Sequence, residues 1–174
     1  MKRLYFLFIL SCLSITGYAQ TAASYSFSAF TASYSSISST GTSIGSIICD
    51  DCTQLSIPIG FTFNFCGTNY TQLAVSSNGW ISLPNYSGFS TFTNTTSEIA
   101  TAGWIMVYWD DLEGWSSMPS TAWYQTTGSS PNRIFTIEWK NFGTWSGCTT
   151  SCPANFQIKL YETSNVIDFC YGRD

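Results

Sequence analysis

An alternation of apolar and other residues recurs along this chain, and it constrains the fold more than any other feature. Between residues 57 and 65 every odd position is apolar, and proline, glycine, threonine or asparagine stands between: the apolar set is Ile57, Ile59, Phe61, Phe63 and Phe65. Because successive side chains of a β-strand point to opposite faces, this period of two predicts a strand with one buried face.

Two later segments, 134–140 and 156–160, repeat the alternation. In the first it predicts an inward face of Phe135, Ile137 and Trp139 and an outward face of Thr136, Glu138 and Lys140. In the second it predicts that Phe156, Ile158 and Leu160 point inward.

Turn residues and apolar runs divide the rest of the chain. The stretch 163–165 predicts a hairpin into 166–171, and Asn78 with Gly79 predicts a tight turn that breaks the segment 71–83. The run 104–109 is apolar on both faces, which predicts a central strand covered on both sides. The alternation of residues 25–30 is sufficient to predict an edge strand, and 35–47 is expected to be a loop.

The predicted fold class is all-β, an antiparallel two-sheet β-sandwich of jelly-roll-like form with no helices apart from the signal peptide. Outside the N-terminal apolar segment, no ten residues run at helical period without glycine, proline or a β-branched interruption. The chain is rich in serine and threonine, yet its 17% aromatic and 44% hydrophobic residues favour a packed core over disorder.

The N-terminus has the pattern of a secretory signal peptide. Lys2 and Arg3 precede an apolar stretch, and small residues lead to a predicted cut after Ala19. The stretch is too short to remain as a membrane anchor. We therefore expect a signal peptide over 1–19, a single β-sandwich domain over 20–174, a secreted or cell-surface location and no membrane span in the mature chain.

The charge balance and the absence of histidine exclude several classes of function. Of six basic residues, Lys2 and Arg3 leave with the signal peptide, so the mature chain has four scattered basic residues and ten acidic ones. Nucleic acid is thereby disfavoured. Without histidine there is no Ser-His-Asp or Cys-His nucleophile and no His-ligated metal. The expectation is a protein that is not an enzyme; the remaining enzyme hypothesis is a glycoside hydrolase with Asp111 and Glu138 as its carboxylates and Trp80, Trp115 or Trp145 as a sugar platform.

Six of the seven cysteines remain after removal of Cys12 with the signal peptide, and an even number in an exported chain favours disulfides. Local spacing favours Cys49 with Cys52 and Cys148 with Cys152. A four-thiolate zinc site from the same four residues, or bridges crossed between the two pairs, are the alternatives. Cys66 and Cys170 both project away from the apolar stripes of their strands, so they either form a third bridge or stay unpaired.

The densest acidic cluster, Asp110, Asp111 and Glu113, follows the apolar run 104–109. These carboxylates are too few for calcium alone, but Asp50 and Asp51 of another loop could complete a calcium site. The alternative is that the acids end a strand and hydrogen-bond loop amides.

Three aromatic residues, Trp115, Trp145 and Tyr86, fall in loops beside glycine and serine. Exposed rings in such places suit stacking on sugars, which predicts a carbohydrate-binding surface. The alternative is that each ring packs beneath its own loop.

The order of these segments resembles the nidogen-type extracellular domain and, more closely, related β-sandwich modules of exported Bacteroidetes proteins. The segments that carry the resemblance are 59–70, 76–83, 108–112, 135–139, 156–163 and 167–172. The resemblance implies a non-catalytic adhesion or binding module of a larger surface protein, often with a type IX secretion sorting domain downstream. Its partner would be an extracellular glycan or protein, and the first alternative is a carbohydrate-binding accessory domain of a secreted enzyme. Since such modules usually continue further, we expect the sequence to be truncated at its C-terminal end, with a sheet edge left unpaired.

Overall fold

Two antiparallel β-sheets form the domain in a computed structural model that describes residues 21–86, 93–95, 103–115, 119–145 and 153–172. The predicted signal peptide lies outside these residues. The strands are β1 (Thr42–Ser43), β2 (Thr53–Phe65), β3 (Thr68–Ser76), β4 (Trp80–Ser82), β5 (Trp104–Met106), β6 (Leu112–Gly114), β7 (Thr121–Thr127), β8 (Ile134–Thr144), β9 (Ala154–Tyr161) and β10 (Ile167–Gly172). The only helical segments of the described chain are two single 3₁₀ turns, Ala22–Ser24 and Gly45–Ile47.

One sheet has four strands in the order β2-β3-β4-β5. The other has six strands in the order β1-β7-β8-β9-β10, and β6 pairs with the far end of β8. The alternation of β2 is confirmed, because Ile57, Ile59, Phe61 and Phe63 are buried and the residues between them are exposed. The turn at Asn78 and Gly79 joins β3 to β4, and the predicted hairpin joins β9 to β10.

The core lies between the two sheets. The inward residues predicted for β8 and β9 have no exposed surface: Phe135, Ile137, Trp139, Phe156, Ile158 and Leu160. They share one cluster with Leu73 and Val75 of β3. The indole Nε1 of Trp139 donates to the Ser76 carbonyl across the sandwich at 2.8 Å, which leaves its buried N–H satisfied. The all-β sandwich prediction is therefore confirmed.

The prediction of a central strand over 104–109 is wrong. β5 ends at Met106 and is the edge strand of its sheet. The chain bends there because the backbone N–H groups of Val107 and Tyr108 both donate to the Gly79 carbonyl. Of the acidic residues that follow, Asp110 and Asp111 lie in the loop before β6 and Glu113 lies within β6, so the acidic run does not mark the end of a central strand.

The N-terminal part of the domain also differs from expectation. Residues 25–30 form no strand, while the predicted loop 35–47 contains β1 and a 3₁₀ turn. β1 pairs with β7, so this segment adds a short strand to the six-stranded sheet. The alternation of 25–30 is thus not matched by pairing with any strand in the described part of the chain.

Glu138 is fully buried, which contradicts the prediction of an outward, solvated face for β8. Its carboxylate accepts hydrogen bonds from Ser36 Oγ at 2.7 Å, Ile37 N at 3.0 Å and Gln157 Nε2 at 2.6 Å. The outer face of the sheet is covered here by residues 35–38, a contact between distant parts of the chain that the local pattern does not reveal.

An ion pair between Arg133, the residue before β8, and Glu162 of the β9–β10 turn joins these two segments. Arg133 also donates to the Gly60 carbonyl of the other sheet at 2.6 Å. The hydrogen bonds of the Arg133 side chain are the main reason that the pKa of Glu162 falls to about 2. The carboxylate is therefore more stable ionised in the folded chain than in the unfolded one.

This pKa predicts a pH dependence of stability. Because the folded value is depressed, the contribution of Glu162 is fully present above its ordinary unfolded pKa of about 4.3 and is lost as pH falls towards about 2. Urea denaturation of the wild type and of Glu162→Gln at a series of pH values measures it. We expect the gap in unfolding free energy between the two proteins to narrow over this window; a constant gap would show that the pair does not shift the titration.

Candidate binding site

Carboxylates from two distant loops meet at one place on the domain. Asp50 and Asp51 lie in the turn before β2, and Asp111 lies in the loop before β6. One oxygen of each lies within 4.8 Å of an oxygen of the other two. Glu113 of β6 adjoins them closely enough for Asp50 and Asp111 to raise its pKa. These four residues are called the acidic cluster below, and they are four of the five that the sequence suggested for calcium.

Asp110, the fifth suggested ligand, is not in the group. Its Oδ1 accepts a hydrogen bond from the backbone N–H of Asp111 at 2.9 Å. For Asp110 the structure agrees with the alternative interpretation, that an acid satisfies an amide of its own loop.

The β3–β4 turn holds the two loops together. Asn78 is fully buried; its Nδ2 donates to Asp51 Oδ1 at 2.8 Å, and its Oδ1 accepts from Leu112 N at 2.9 Å. Ser77 and Cys52 exchange hydrogen bonds of 2.8 and 3.0 Å. The sequence indicated Asn78 only as a turn residue. Its role between the loops depends on tertiary contacts that no local pattern shows.

Ionising all the carboxylates of the acidic cluster together is electrostatically unfavourable. Burial is the largest cause that raises the pKa values of Asp50, Asp111 and Glu113, and repulsion from neighbouring carboxylates adds to it. The ion pair between Arg133 and Glu162 is the one salt bridge in the described part of the chain. No described lysine or arginine therefore neutralises the cluster.

Two tryptophans stack beside the acidic cluster. The rings of Trp115 and Trp145 lie 6.1 Å apart at an interplanar angle of 25°. The backbone N–H of Trp145 donates to the Asp111 carbonyl at 2.8 Å. Trp115 directly follows β6 and Trp145 directly follows β8, and these two strands are paired. Trp145 is 48% exposed, so part of its ring faces solvent. Two of the three aromatic residues predicted for glycan stacking thus come together.

Tyr86, the third, lies elsewhere. Its ring is 6.4 Å from Trp104 in an edge-on arrangement. Trp80 is fully buried and packs against Trp104, so it offers no sugar platform.

The two carboxylates of the hydrolase hypothesis occupy different surroundings. Glu138 bonds to Ser36, Ile37 and Gln157, none of which belongs to the acidic cluster around Asp111. An acid-base pair needs both groups on one reacting bond, and this arrangement does not provide it.

The cysteines follow the sequence predictions in part. Cys49 and Cys52 form a disulfide with Cα atoms 5.8 Å apart, so neither can serve in a four-thiolate zinc site. Cys148 and Cys152 lie outside the described residues. Cys66 and Cys170 are free, which corrects the suggestion of a bridge between them. Cys66 lies in the β2–β3 turn with a φ of 52° and Cys170 lies in β10 of the other sheet, so the strand-parity argument does not apply.

A family model described as "NIDO related" matches residues 24–174. The chain belongs to the NIDO-related family. The match covers every described residue of the acidic cluster and both tryptophans, and it confirms the resemblance to nidogen-type domains. Searches of curated proteins and of solved structures return no match.

The NIDO-related domain is extracellular in type, and membership of its family suggests a binding function. The family is not a known enzyme family. In the described ranges, the longest helical segment is a 3₁₀ turn, and none is long and apolar enough to cross a membrane.

Proposed function

We propose that this NIDO-related domain is a non-catalytic adhesion module of a larger exported protein, and that it binds neutral glycans at Trp145. The signal-peptide pattern of residues 1–19, and the resemblance of the segment order to modules of exported Bacteroidetes proteins, support a secreted or cell-surface setting. The observation that carries the proposal is the half-exposed Trp145 ring, stacked on Trp115 beside the acidic cluster.

A stacked pair suits a binding platform because its geometry is fixed before the ligand arrives. Large aromatic side chains provide contact area at little cost in conformational entropy. Trp115 supports one side of Trp145, and the backbone bond to Asp111 fixes the loop that carries it. The apolar face of a pyranose ring can then cover the solvent-facing part of Trp145.

Charge selects the class of glycan. The sequence carries a formal net charge of −4, and the acidic cluster adds local negative potential next to the ring. A sulfated or uronic-acid polymer would be repelled there. We therefore expect hexose-based neutral glycans to bind in preference to acidic ones.

A carbohydrate-binding accessory domain of a secreted enzyme remains the alternative, because the same tryptophan platform would serve it. The two hypotheses differ in what the domain is attached to, and a hydrolase domain on the same polypeptide would favour the alternative.

The expected result on a glycan array is binding of the purified domain to neutral glycans. Trp145→Ala should lower the affinity about tenfold or more, since truncating a central aromatic contact typically costs over about 1 kcal/mol. Phe27→Ala is the matched control, because Phe27 is 90% exposed and lies outside this platform. No binding by the folded wild type, or equal binding by Trp145→Ala, would contradict the proposal.

A further inference from the structure

We propose that the Ser36 hydroxyl and the Gln157 carboxamide react with each other to form an ester crosslink, with Glu138 as the catalytic base. The reaction takes place once in each chain and has no turnover, so it is compatible with a domain that is not an enzyme. Neither Trp145 nor the acidic cluster takes part, and the crosslink does not depend on glycan binding.

A single buried carboxylate contacts both reacting groups. Glu138 has no exposed surface; its Oε1 accepts a hydrogen bond from Ser36 Oγ at 2.7 Å, and its Oε2 accepts one from Gln157 Nε2 at 2.6 Å. Glu138 and Gln157 are directly opposite each other in the pairing of β8 with β9, so their side chains lie together on one face of the sheet. Ser36 belongs to the segment 35–38 that covers this face. The fold therefore gathers a hydroxyl nucleophile, a base and an amide carbon at one place.

The hydrogen bonds place the base on both atoms that exchange a proton. Glu138 removes the proton from Ser36 Oγ, and this oxygen attacks Cδ of Gln157. The tetrahedral intermediate then loses Nε2, and the carboxyl group of Glu138 gives the proton to the departing nitrogen. The Oγ–H and Cδ–Nε2 bonds break, a Cδ–Oγ bond and an N–H bond form, and ammonia leaves. No oxidant, reductant or further reactant is needed.

The surroundings of Gln157 favour this reaction over attack by water. Gln157 has no exposed surface, and its Oε1 has no hydrogen-bond partner among the described residues. A buried amide oxygen without a donor costs free energy, and the weaker acceptor of an ester lowers that cost. Nε2 also donates to the Ser35 carbonyl at 2.8 Å, which fixes the amide beside the covering segment. Groups held together in this way react at a high effective concentration, and a buried ester is protected from hydrolysis.

Lys140 is a second potential nucleophile nearby, but it is placed to assist Ser36. Its Nζ donates to Ser36 Oγ and to Ser38 Oγ, both at 3.5 Å. The hydrogen bonds of Glu138 and Gln157 within the described chain do not include Lys140. Its positive charge stabilises the negative charge that develops on Ser36 Oγ as the proton leaves. We therefore expect an ester with Ser36 and no amide with Lys140.

Intact mass spectrometry of the purified, folded domain tests the crosslink. The wild type should be lighter than the mass of its mature sequence by one ammonia molecule. Tandem spectra of a digest should show the peptide of Ser36 joined to the peptide of Gln157, and hydroxylamine, which cleaves esters, should separate them. Ser36→Ala lacks the nucleophile and Glu138→Gln lacks the base, so both should have the full mass of their sequences.

Ser33→Ala is the matched control, because Ser33 is an exposed serine of the same N-terminal segment. It should lose ammonia as the wild type does. Cyclisation of Gln20 at the predicted mature N-terminus, or of Asn78 with Gly79, also releases ammonia, but Ser36→Ala would retain that loss. A folded wild type of full mass, an equal loss of ammonia in the wild type and Ser36→Ala, or an absence of the joined peptides would overturn the proposal.

Discussion

Replacing Glu138 by alanine is expected to lower the free energy of unfolding by about 3 kcal/mol or more. The carboxylate is fully buried and accepts hydrogen bonds from Ser36, Ile37 and Gln157. The substitution removes three hydrogen bonds to the carboxylate; it leaves the Ile37 N–H without its acceptor, while the Gln157 amide keeps only its bond to the Ser35 carbonyl. Because the bonds from Ile37 and Gln157 to the carboxylate are buried, water replaces the carboxylate poorly.

Glu138→Gln separates the loss of charge from the loss of the acceptor. It keeps one oxygen in place but presents an NH₂ group to donors, so we expect a smaller loss than for alanine. Urea denaturation measures the free energies, and limited proteolysis reports whether residues 21–41 detach from the sheet. A loss below about 1 kcal/mol for Glu138→Ala would mean that the carboxylate is solvated, as the alternation of β8 alone indicated.

Gly79→Ala is expected to destabilise the domain by about 3 kcal/mol or more. A Cβ atom at this position would lie 2.2 Å from the Tyr108 carbonyl oxygen and 2.9 Å from its carbonyl carbon. Both neighbours are backbone, so the whole loop after β5 would have to move. That movement would break the bonds from Val107 and Tyr108 to the Gly79 carbonyl. A φ of 71° adds its own cost for any residue with a side chain.

Gly67→Ala is the matched control for the backbone conformation. Gly67 has a φ of 82°, but a Cβ there meets no atom within 4 Å. We expect it to cost only about 1–2 kcal/mol, the usual penalty of the left-handed region. Equal losses for the two variants in urea denaturation would show that the contact with Tyr108 contributes nothing.

The strands that line the core could be predicted from the sequence because their burial follows the period of two. The inward residues of β2, β8 and β9 lie where the alternation places them. Glu138 and the run 104–109 could not be predicted in this way. The burial of Glu138 depends on residues 35–38, which cover the outer face of β8. The end of β5 depends on the Gly79 carbonyl, which accepts hydrogen bonds from Val107 and Tyr108.

The residue types of the candidate site could also be predicted, but not their arrangement. Acidic residues in two loops and tryptophans in two others were recognisable from the sequence. Their meeting depends on Asn78 and on the pairing of β6 with β8, both of which link distant segments. Asp110 shows the limit of the composition argument, since its position in the acidic run does not bring it into the acidic cluster.

Titration of the domain with the neutral oligosaccharide that binds best on the array, followed by tryptophan fluorescence, tests the central claim most directly. If the ligand covers Trp145, the emission should shift to shorter wavelength with saturation, and Trp145→Ala should lose both the shift and the affinity. Saturable binding with unchanged emission, and with unchanged affinity in Trp145→Ala, would place the ligand elsewhere and contradict the assignment of this surface.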